Sequence, residues 1–300
     1  MSSTLLADVQ NQVQTFWSDM FMDELKENTL LPSLVNKDYD GELTNRGGDR
    51  VRVSQINRPD ASRKTVGSGH EYFETSKLST SYVDIVADQV ISSAYEFDDL
   101  IQLQSQIKDQ DSKIRQSLLE AVEIELNNYL YSIVSPSVAS PAHLRSGVTD
   151  YNASQLNNDR KLAAQSKWMK EGGWYGLFDP QYYSDLLNAQ TLTSQDYAPG
   201  EAPVIGGQIA NRRFGFNMLE DNSAGLISAM KRLGSSSASE DAALLFHPDF
   251  MHLVMPLKAD FKVAELTSNK QFGFVIVVRI VCGAKLGIDG DKKHILVYNA

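Results

Sequence analysis

Residues 111–134 have the sequence DSKIRQSLLEAVEIELNNYLYSIV, and this stretch decides the fold. Its apolar residues recur at spacings of three and four, which is the pattern of one face of a helix. They are Ile114, Leu118, Leu119, Val122, Leu126, Tyr129, Leu130 and Ile133. Asp109 or Asp111 can open this helix, and Pro136 stops it. Roughly 24 helical residues span about 36 Å, which is long for a domain of this size, so the stretch predicts a spine helix.

The region before the spine predicts a long hairpin. Residues 50–53 and 82–86 alternate polar and apolar side chains, as strands with one buried face do. The intervening span contains Pro59, Gly67 and Gly69, several basic residues, and almost no apolar residue that could anchor its tip to a core of its own. We therefore expect the tip of the hairpin to need a partner surface.

The first 45 residues are expected to form an arm. Residues 4–27 carry apolar side chains at helical spacing, including Trp17 and Phe21, and this predicts an amphipathic helix. The pattern breaks at Pro32, and a polar stretch with nothing to pack on locally runs on to the glycines at 47 and 48. The apolar stripe of the arm therefore needs a partner from another subunit or another protein.

The second half of the chain predicts further strands. Residues 135–158 are rich in Ser, Asn and Pro, which indicates an irregular connection. Residues 174–178 and 242–246 each predict a strand, followed by a capping residue, a proline and a helix. Further strands are predicted at 261–266, 272–282 and 294–298, the last two joined by a hairpin turn at Asp289 and Gly290. This order predicts an α+β fold without a βαβ series.

Composition and charge exclude several classes of protein. The chain has 300 residues, 42% of them hydrophobic, so it can build a sizeable core in one large or two modest domains. Its net charge of -10 repels a polyanion and argues against a dedicated DNA or RNA reader. Cys282 is expected to be a buried, unpaired thiol in an apolar run. With no basic residue before Lys26 and no apolar run of membrane-spanning length, we expect a cytosolic protein without a membrane partner.

No pattern predicts catalysis, a metal or a cofactor. His247 and His252 flank Asp249, but a spacing of five residues does not align two imidazoles on one helix face, so a cap and a surface histidine are expected. Asp289 and Asp291 lack the later ligands of a calcium loop. The glycine pairs lack the partners of a phosphate loop, and no serine lies in a nucleophile elbow. We therefore expect a protein that is not an enzyme and has no cofactor.

Several motifs, in a fixed order, carry a resemblance to a known family. The most specific are LVNKDYDGE at 34–42, GDRVRV at 48–53, and YEFDD at 95–99 with Gln104 and Ser105 ahead of the spine. Supporting motifs are LFDPQYYSDLL at 177–187, RFGF at 213–216 and ALLFH at 243–247. Over essentially the whole chain, the sequence resembles the major capsid proteins of tailed bacteriophages. These share with encapsulins a shell-forming fold named after phage Hong Kong 97.

The resemblance implies a division of the chain. An N-terminal arm occupies residues 1–45, and an extended loop that lies on a neighbouring subunit occupies 46–82. A peripheral domain is formed by 83–167 and 259–300 and includes the spine helix at about 111–134. An axial domain, which meets its copies at capsomer centres, is formed by 168–258.

The resemblance also implies a function and partners. The protein would assemble in the host cytoplasm as pentamers and hexamers into an icosahedral shell, and so become part of the virion. The shell would enclose double-stranded DNA without sequence-specific binding. A separate scaffolding protein is expected, since the extended loop begins only about fifty residues into the chain. A portal protein and a decoration or cement protein are further implied partners.

Two other functions remain open. An encapsulin-like nanocompartment has the same fold but encloses cargo enzymes. A soluble α+β hydrolase or binding enzyme belongs to another class, and the absence of any nucleophile, base or metal set with workable spacing argues against it.

A charge count adds an expectation that the resemblance does not supply. Residues 44–77 hold seven basic and four acidic residues, a net charge of +3, while residues 84–125 hold three basic and ten acidic residues, a net charge of -7. Either these are solvated faces of opposite sign, or the loop of one subunit docks on the acidic segment of the next. The residues expected at contacts between subunits are Arg50, Arg52, Arg58, Arg63, Lys64, Trp17 and Phe21.

Overall fold

The computed structural model describes residues 27, 29–40, 42, 50–61, 63, 65–66, 75–98, 111–134, 143–168, 173–194, 204–205, 208–209, 214–226, 241–268 and 271–299. The amphipathic helix predicted at 4–27 lies outside the described residues except at its last position. Trp17, Phe21 and Lys64 also lie outside them.

Twelve strands and five helices make up the described part of the chain. The strands are β1 (Arg50–Ile56), β2 (Thr80–Val86), β3 (Gln89–Asp98), β4 (Leu144–Arg145), β5 (Trp174–Phe178), β6 (Val204–Ile205), β7 (Gln208–Ile209), β8 (Phe216–Glu220), β9 (Ala242–Phe246), β10 (Met251–Ser268), β11 (Gln271–Leu286) and β12 (His294–Tyr298). The helices are α1 (Leu31–Leu34), α2 (Asp111–Ile133), α3 (Ala153–Gln165), α4 (Pro180–Asn188) and α5 (Gln190–Thr193).

The predicted spine is confirmed as α2, which packs on a three-stranded antiparallel sheet of order β10-β11-β3. Alternate residues of β11 bury Ile276, Val278 and Ile280 in the same cluster as Leu118 and Val122 of the helix. The helix keeps its apolar stripe on the sheet because the 3.6-residue period brings those side chains to one face. Strand β10 has 18 residues and is therefore about 60 Å long, which is longer than the spine helix.

A second sheet has five strands in the order β4-β12-β9-β5-β8. Every residue of its central strand β9 is buried. Leu244 and Phe246 point into the core cluster that contains the spine, whereas Ala243 and Leu245 point into a second cluster under α3 and α4. Coverage on both faces explains why β9 has a continuous apolar sequence instead of an alternating one. The sheet joins β5, β8 and β9, from the predicted axial stretch, to β4 and β12, from the predicted peripheral stretches.

Three local predictions are wrong. The span expected to be irregular contains the start of α3, where the side chain of Asn152 accepts hydrogen bonds from the backbone N–H groups of Ser154 and Gln155. The helix expected after His247 is a short 3₁₀ turn followed by β10, although the His247 side chain does cap the turn. The turn at Asp289 does not close a hairpin, because β11 and β12 belong to different sheets.

The polar stretch after Pro32, for which no local packing partner was expected, packs on a distant part of the chain. Leu31 is fully buried in the core cluster that contains the spine, and Val35 is buried beside it. The carbonyl of Asn36 accepts the N–H of Leu253 at 2.9 Å, and a carboxylate oxygen of Asp40 accepts the N–H of Met255 at 2.6 Å. Residues 31–40 therefore form a strap held against β10.

The histidines and the cysteine of the described region are mostly core residues. Cys282 is buried, as predicted. His252, expected on the surface, is buried and makes an edge-to-face contact with the ring of Tyr39 at 5.3 Å. In the described ranges, no group of three or more His, Cys, Asp or Glu residues could hold a metal ion. A helix long and apolar enough to cross a membrane is likewise not found among the described residues.

Candidate assembly interface

The predicted hairpin is confirmed as the antiparallel pair β1 and β2, with Arg50 opposite Val86 and Ile56 opposite Thr80. Its base is anchored in the body, where Val51, Val53 and Ile85 are buried with Val254 of β10. Its distal part is not, since every described residue between 57 and 79 is exposed. The hairpin thus projects from the fold and is held by a small apolar cluster at one end.

Exposed apolar side chains concentrate on this hairpin. Ile56 is 66% exposed, Leu78 76% and Val66 95%. The other large apolar side chains that are exposed in the described residues belong to β2, β3 and β10: Tyr82, Val86, Val90, Tyr95 and Val263. None of these eight lies in the five-stranded sheet or its helices. Because exposed apolar residues mark interaction sites, the hairpin, β3 and β10 carry the candidate interface.

Arg52, predicted to contact another subunit, has a partner within its own hairpin. Its guanidinium donates to both carboxylate oxygens of Asp84, at 2.7 and 2.9 Å, and lies 4.4 Å from the centroid of the Tyr82 ring. The hydrogen bond from Arg52 holds the pKa of the Asp84 carboxyl below its usual range. Since the guanidinium remains 59% exposed, this pair fixes the strand register and contributes little to stability.

The other predicted contact residues have different surroundings. Arg50 begins β1, and its side chain is exposed at the base of the hairpin. Arg58 and Arg63 are exposed on the distal part, where no apolar cluster holds them. The structure therefore brings Arg58 and Arg63 to the exposed apolar tip but does not gather the predicted residues into one site.

Acidic side chains are exposed around the spine and β3. Asp88 and Glu96 are exposed at β3, and Glu123 and Glu125 are exposed on α2. Val90, Tyr95 and Val263 belong to the same region and were missed by sequence reasoning. The alternation of β3 could have revealed Val90, which is next to the inward-facing Ile91 and so points away from α2. Tyr95 lies on the face that meets α2, where its hydroxyl is 3.1 Å from the hydroxyl of Ser117.

The surface is suited to docking with another protein. It offers apolar side chains, exposed charges of both signs and strand edges, and it suits association with another protein surface.

No protein-family model and no curated protein sequence matches the chain. Solved structures do match it over almost its whole length. A capsid structure of cyanophage Pam1 is 11% identical, with a TM-score of 0.76 and coverage of 100% of this chain and 98% of that one. The capsid structure of cyanophage P-SCSP1u is 12% identical, with a TM-score of 0.69 and coverage of 97% and 94%.

A structure from Mycobacterium phage Che8 is 18% identical, with a TM-score of 0.67, and the match covers 95% of this chain and 96% of that one. Likeness at such low identity rests on the order and packing of the elements described above and not on shared residues. The chain therefore has the phage capsid fold that its sequence predicts.

Proposed function

We propose that this chain is the major capsid protein of a tailed phage, a structural protein without enzymatic activity. Copies of it associate as pentamers and hexamers into an icosahedral shell that encloses double-stranded DNA. The observation that carries the proposal is likeness to phage capsid structures over nearly the full length of both chains. A partial match could reflect a shared module, whereas a full-length match includes the projecting hairpin and the long sheet.

The exposed hairpin supports association with further copies. An isolated two-stranded ribbon is at best marginally stable in water, and this one leaves Ile56 and Leu78 uncovered. In a shell of identical subunits the same contact repeats around every capsomer, so one complementary surface covers all of these hairpins. We infer that this surface is the region of β3 and the spine on a neighbouring subunit.

Charge supports the same pairing. Arg52 and Asp84 neutralise each other inside one subunit, which leaves Arg58 and Arg63 as exposed cations on the distal hairpin. Glu123 and Glu125 on the spine are exposed anions. Single exposed pairs contribute under about 1 kcal/mol, so the charges steer docking and fix its register while the apolar contacts supply most of the stability.

The domain division is proposed in an adjusted form. The peripheral domain comprises α2 and the three-stranded sheet, and the axial domain comprises the five-stranded sheet with α3 and α4. The register of β12 against β9, from His294 opposite Phe246 to Tyr298 opposite Ala242, supports counting the C-terminal strand as axial. The arm at 1–45 and the extended loop at 46–82 remain as the sequence predicts, with residues 31–40 as the strap that ties the arm to β10.

The remaining partners follow from the same proposal. A separate scaffolding protein guides assembly in the host cytoplasm, a portal protein occupies one vertex, and a decoration or cement protein is a further candidate partner. The net charge of -10 supports enclosure of DNA without a grip on its sequence.

Electron microscopy of the purified chain, expressed with and without its phage neighbours, tests the proposal. Closed shells of capsomers are expected, and native particles should contain double-stranded DNA. Particles that contain a cargo enzyme and no genome would instead establish an encapsulin-like compartment. A small monodisperse species under every condition would contradict both.

Charge reversal tests the docking surface. Replacing Arg58 and Arg63 by Glu should leave the melting temperature of the subunit nearly unchanged but slow assembly several-fold in low salt, because complementary fields raise association rates. Light scattering follows the rate. The matched control is Arg160→Glu with Lys161→Glu, the same charge change on exposed positions of α3. Equal slowing by the control would show that only net charge matters, and no slowing by the hairpin variant would exclude electrostatic docking.

A further inference from the structure

A cleft of about 490 Å³ lies between the carboxyl end of α3 and the turn that leads into β12. Its lining includes Lys167, Trp168, His247, Asp289, Lys292 and Lys293. Trp168 and His247 are buried and form firm walls. The cleft is separate from the candidate assembly interface, and an inference from it does not depend on the shell function.

The backbone that carries two of the lysines is fixed by hydrogen bonds to these walls. The indole N–H of Trp168 donates to the carbonyl of Lys292 at 2.6 Å, and the backbone N–H of His247 donates to the carbonyl of Lys293 at 3.0 Å. The N–H of Lys293 donates in turn to the carbonyl of Gly290 at 3.1 Å. The roots of both lysine side chains are thus held in place before any ligand arrives, which lowers the entropy cost of binding.

Backbone strain gathers at the same cleft. Lys167 has a φ of 59° and Asp289 a φ of 56°, both in the left-handed region that favours glycine. Only three non-glycine residues in the described ranges have a positive φ, and these are two of them. Lys167 follows the C-cap residue of α3, where glycine is the usual choice. A lysine kept at such a position costs stability, which motivates a functional explanation for its side chain.

The charge of the lining selects an anion. Three lysines and one acidic residue, Asp289, line the cleft, in a chain whose net charge is -10. The Nζ of Lys292 is 3.3 Å from the carboxylate of Asp289, but both side chains are 57% exposed, so this pair competes weakly with a ligand. The cleft is therefore a local concentration of positive charge on an acidic protein.

We propose that this cleft is a binding site for a phosphate-class oxyanion. A phosphate group is negatively charged near neutral pH and has several strong acceptor oxygens, so it can accept from more than one ammonium donor at once, whereas the single carboxylate of Asp289 cannot match three lysines. The ring of Trp168 packs edge-on against Trp174 at 5.7 Å and its N–H is already used, so the cleft recognises phosphate and not a stacked base. The phosphate could be a free anion or part of a DNA backbone.

Isothermal titration of the full-length chain, in chloride buffer at constant ionic strength, separates these sources. The probes are inorganic phosphate, pyrophosphate and a short DNA duplex. Saturable binding of a free anion, one per chain, is expected. Lys292→Gln with Lys293→Gln should weaken it about tenfold or more, because each ammonium contributes Coulomb energy to the complex. Lys161→Gln, an exposed lysine of α3 outside the cleft, is the matched control and should change nothing.

Two further variants separate a loss of phosphate binding from a loss of folding. Lys167→Gly should weaken phosphate binding and at the same time raise the melting temperature, because glycine adopts a positive φ without strain. Asp289→Asn should tighten binding about threefold, since it removes the competing carboxylate while asparagine tolerates the left-handed region. If Lys167 served only to stabilise the fold, Lys167→Gly would lower the melting temperature.

The outcomes decide the proposal. If only the duplex binds and the lysine variants weaken it, the site takes backbone phosphate and the proposal stands with DNA as the source. If duplex binding is insensitive to the cleft variants and neither free anion binds more tightly than about 10 mM, the proposal is overturned. Free-anion binding that the lysine variants leave unchanged overturns it as well.

Discussion

The five-stranded sheet and the hairpin of β1 and β2 use their apolar residues in opposite ways. In the sheet, Leu244 and Leu245 of β9 point to opposite faces, and both are fully buried. In the hairpin, only the base is buried, and Ile56 at the far end of β1 is 66% exposed. One region covers its apolar side chains within a single chain, and the other leaves them exposed.

Polar groups show the same contrast. Beside the five-stranded sheet, the buried carboxylate of Asp159 accepts from both Arg145 and the hydroxyl of Tyr151, so an internal network satisfies it. On the hairpin, Arg52 and Asp84 pair in a largely solvated setting. A buried network specifies a unique core, whereas exposed charges leave room for a second molecule. Substitutions should therefore separate stability from assembly.

The largest effect on the fold is expected in β9. Leu245→Ala removes a fully buried side chain between the sheet and its helices, and the cavity should lower the free energy of unfolding by about 2–5 kcal/mol. Chemical denaturation measures this loss. Ile56→Ala on the hairpin is the matched control and should stay within about 0.5 kcal/mol of the wild type. Similar losses for the two variants would contradict the contrast between the regions.

Low pH should reduce the stability of the five-stranded sheet. Burial lowers the pKa of His294, in β12, to about 4, below the value near 6.5 expected in the unfolded chain. The fold therefore holds the neutral ring, and the stability that depends on it is fully present above pH 6.5. It is lost as the pH falls toward about 4, amounting to about 3 kcal/mol.

Comparison with His294→Asn isolates this effect, because burial also raises the pKa of Asp179 to about 6, which acts in the opposite sense. The Asn side chain can still donate to the carbonyl of Gly290, as His294 Nδ1 does. The difference in unfolding free energy between wild type and variant should shrink between pH 6.5 and 4. A difference that does not depend on pH would contradict the account.

A smaller effect is expected where the strap meets β10. Asp40→Ala removes the acceptor for the N–H of Met255, next to the irregular pairing of β10 between Val254 and Leu257. The loss should be about 1 kcal/mol, because a partly buried donor is left without its partner. Asp40→Asn retains an acceptor oxygen and should lose less. Denaturation curves of equal midpoint for all three proteins would show that the strap does not stabilise β10.

Periodicity predicted the elements whose partners are local or whose pattern is unambiguous. The spine is one, since the spacing of Leu118, Val122 and Leu126 fits no other structure. The first part of β10 could not be predicted in the same way, although a strand at 261–266, within its second part, was predicted. Phe250, Leu253 and Val254 also fit a helical spacing, and pairing with β11 decides in favour of a strand. The helix α3 was missed, although Asn152 ahead of Ser154 and Gln155 is a capping signal.

The features that the sequence did not predict depend on contacts between residues that are far apart in the chain. The strap was missed because Asn36 and Asp249, whose side chains are joined by a hydrogen bond of 2.8 Å, are 213 positions apart. The pairing of Arg52 with Asp84 follows from the hairpin register, which the sequence placed only approximately. The cleft combines Lys167 with a turn more than a hundred residues away, so no local sequence pattern predicts it. The basic composition of the hairpin, in contrast, could be predicted from the sequence, because counting charges does not require knowing which residues pair.

The most direct test removes the distal hairpin altogether. Among the described residues of the hairpin, the bonded pair farthest from the base is Asn57 and Ser79, with the N–H of Asn57 donating to the carbonyl of Ser79 at 3.0 Å. Residues 58–78 can therefore be replaced by Asn-Gly, which closes two strands in a tight turn. We expect a subunit that unfolds at a temperature within a few degrees of the wild type, because every described residue that is removed is exposed. Electron microscopy of the same sample should show no closed shells. Normal shells from the shortened chain, or a subunit that no longer folds, would contradict the claim that this hairpin serves assembly and not the fold.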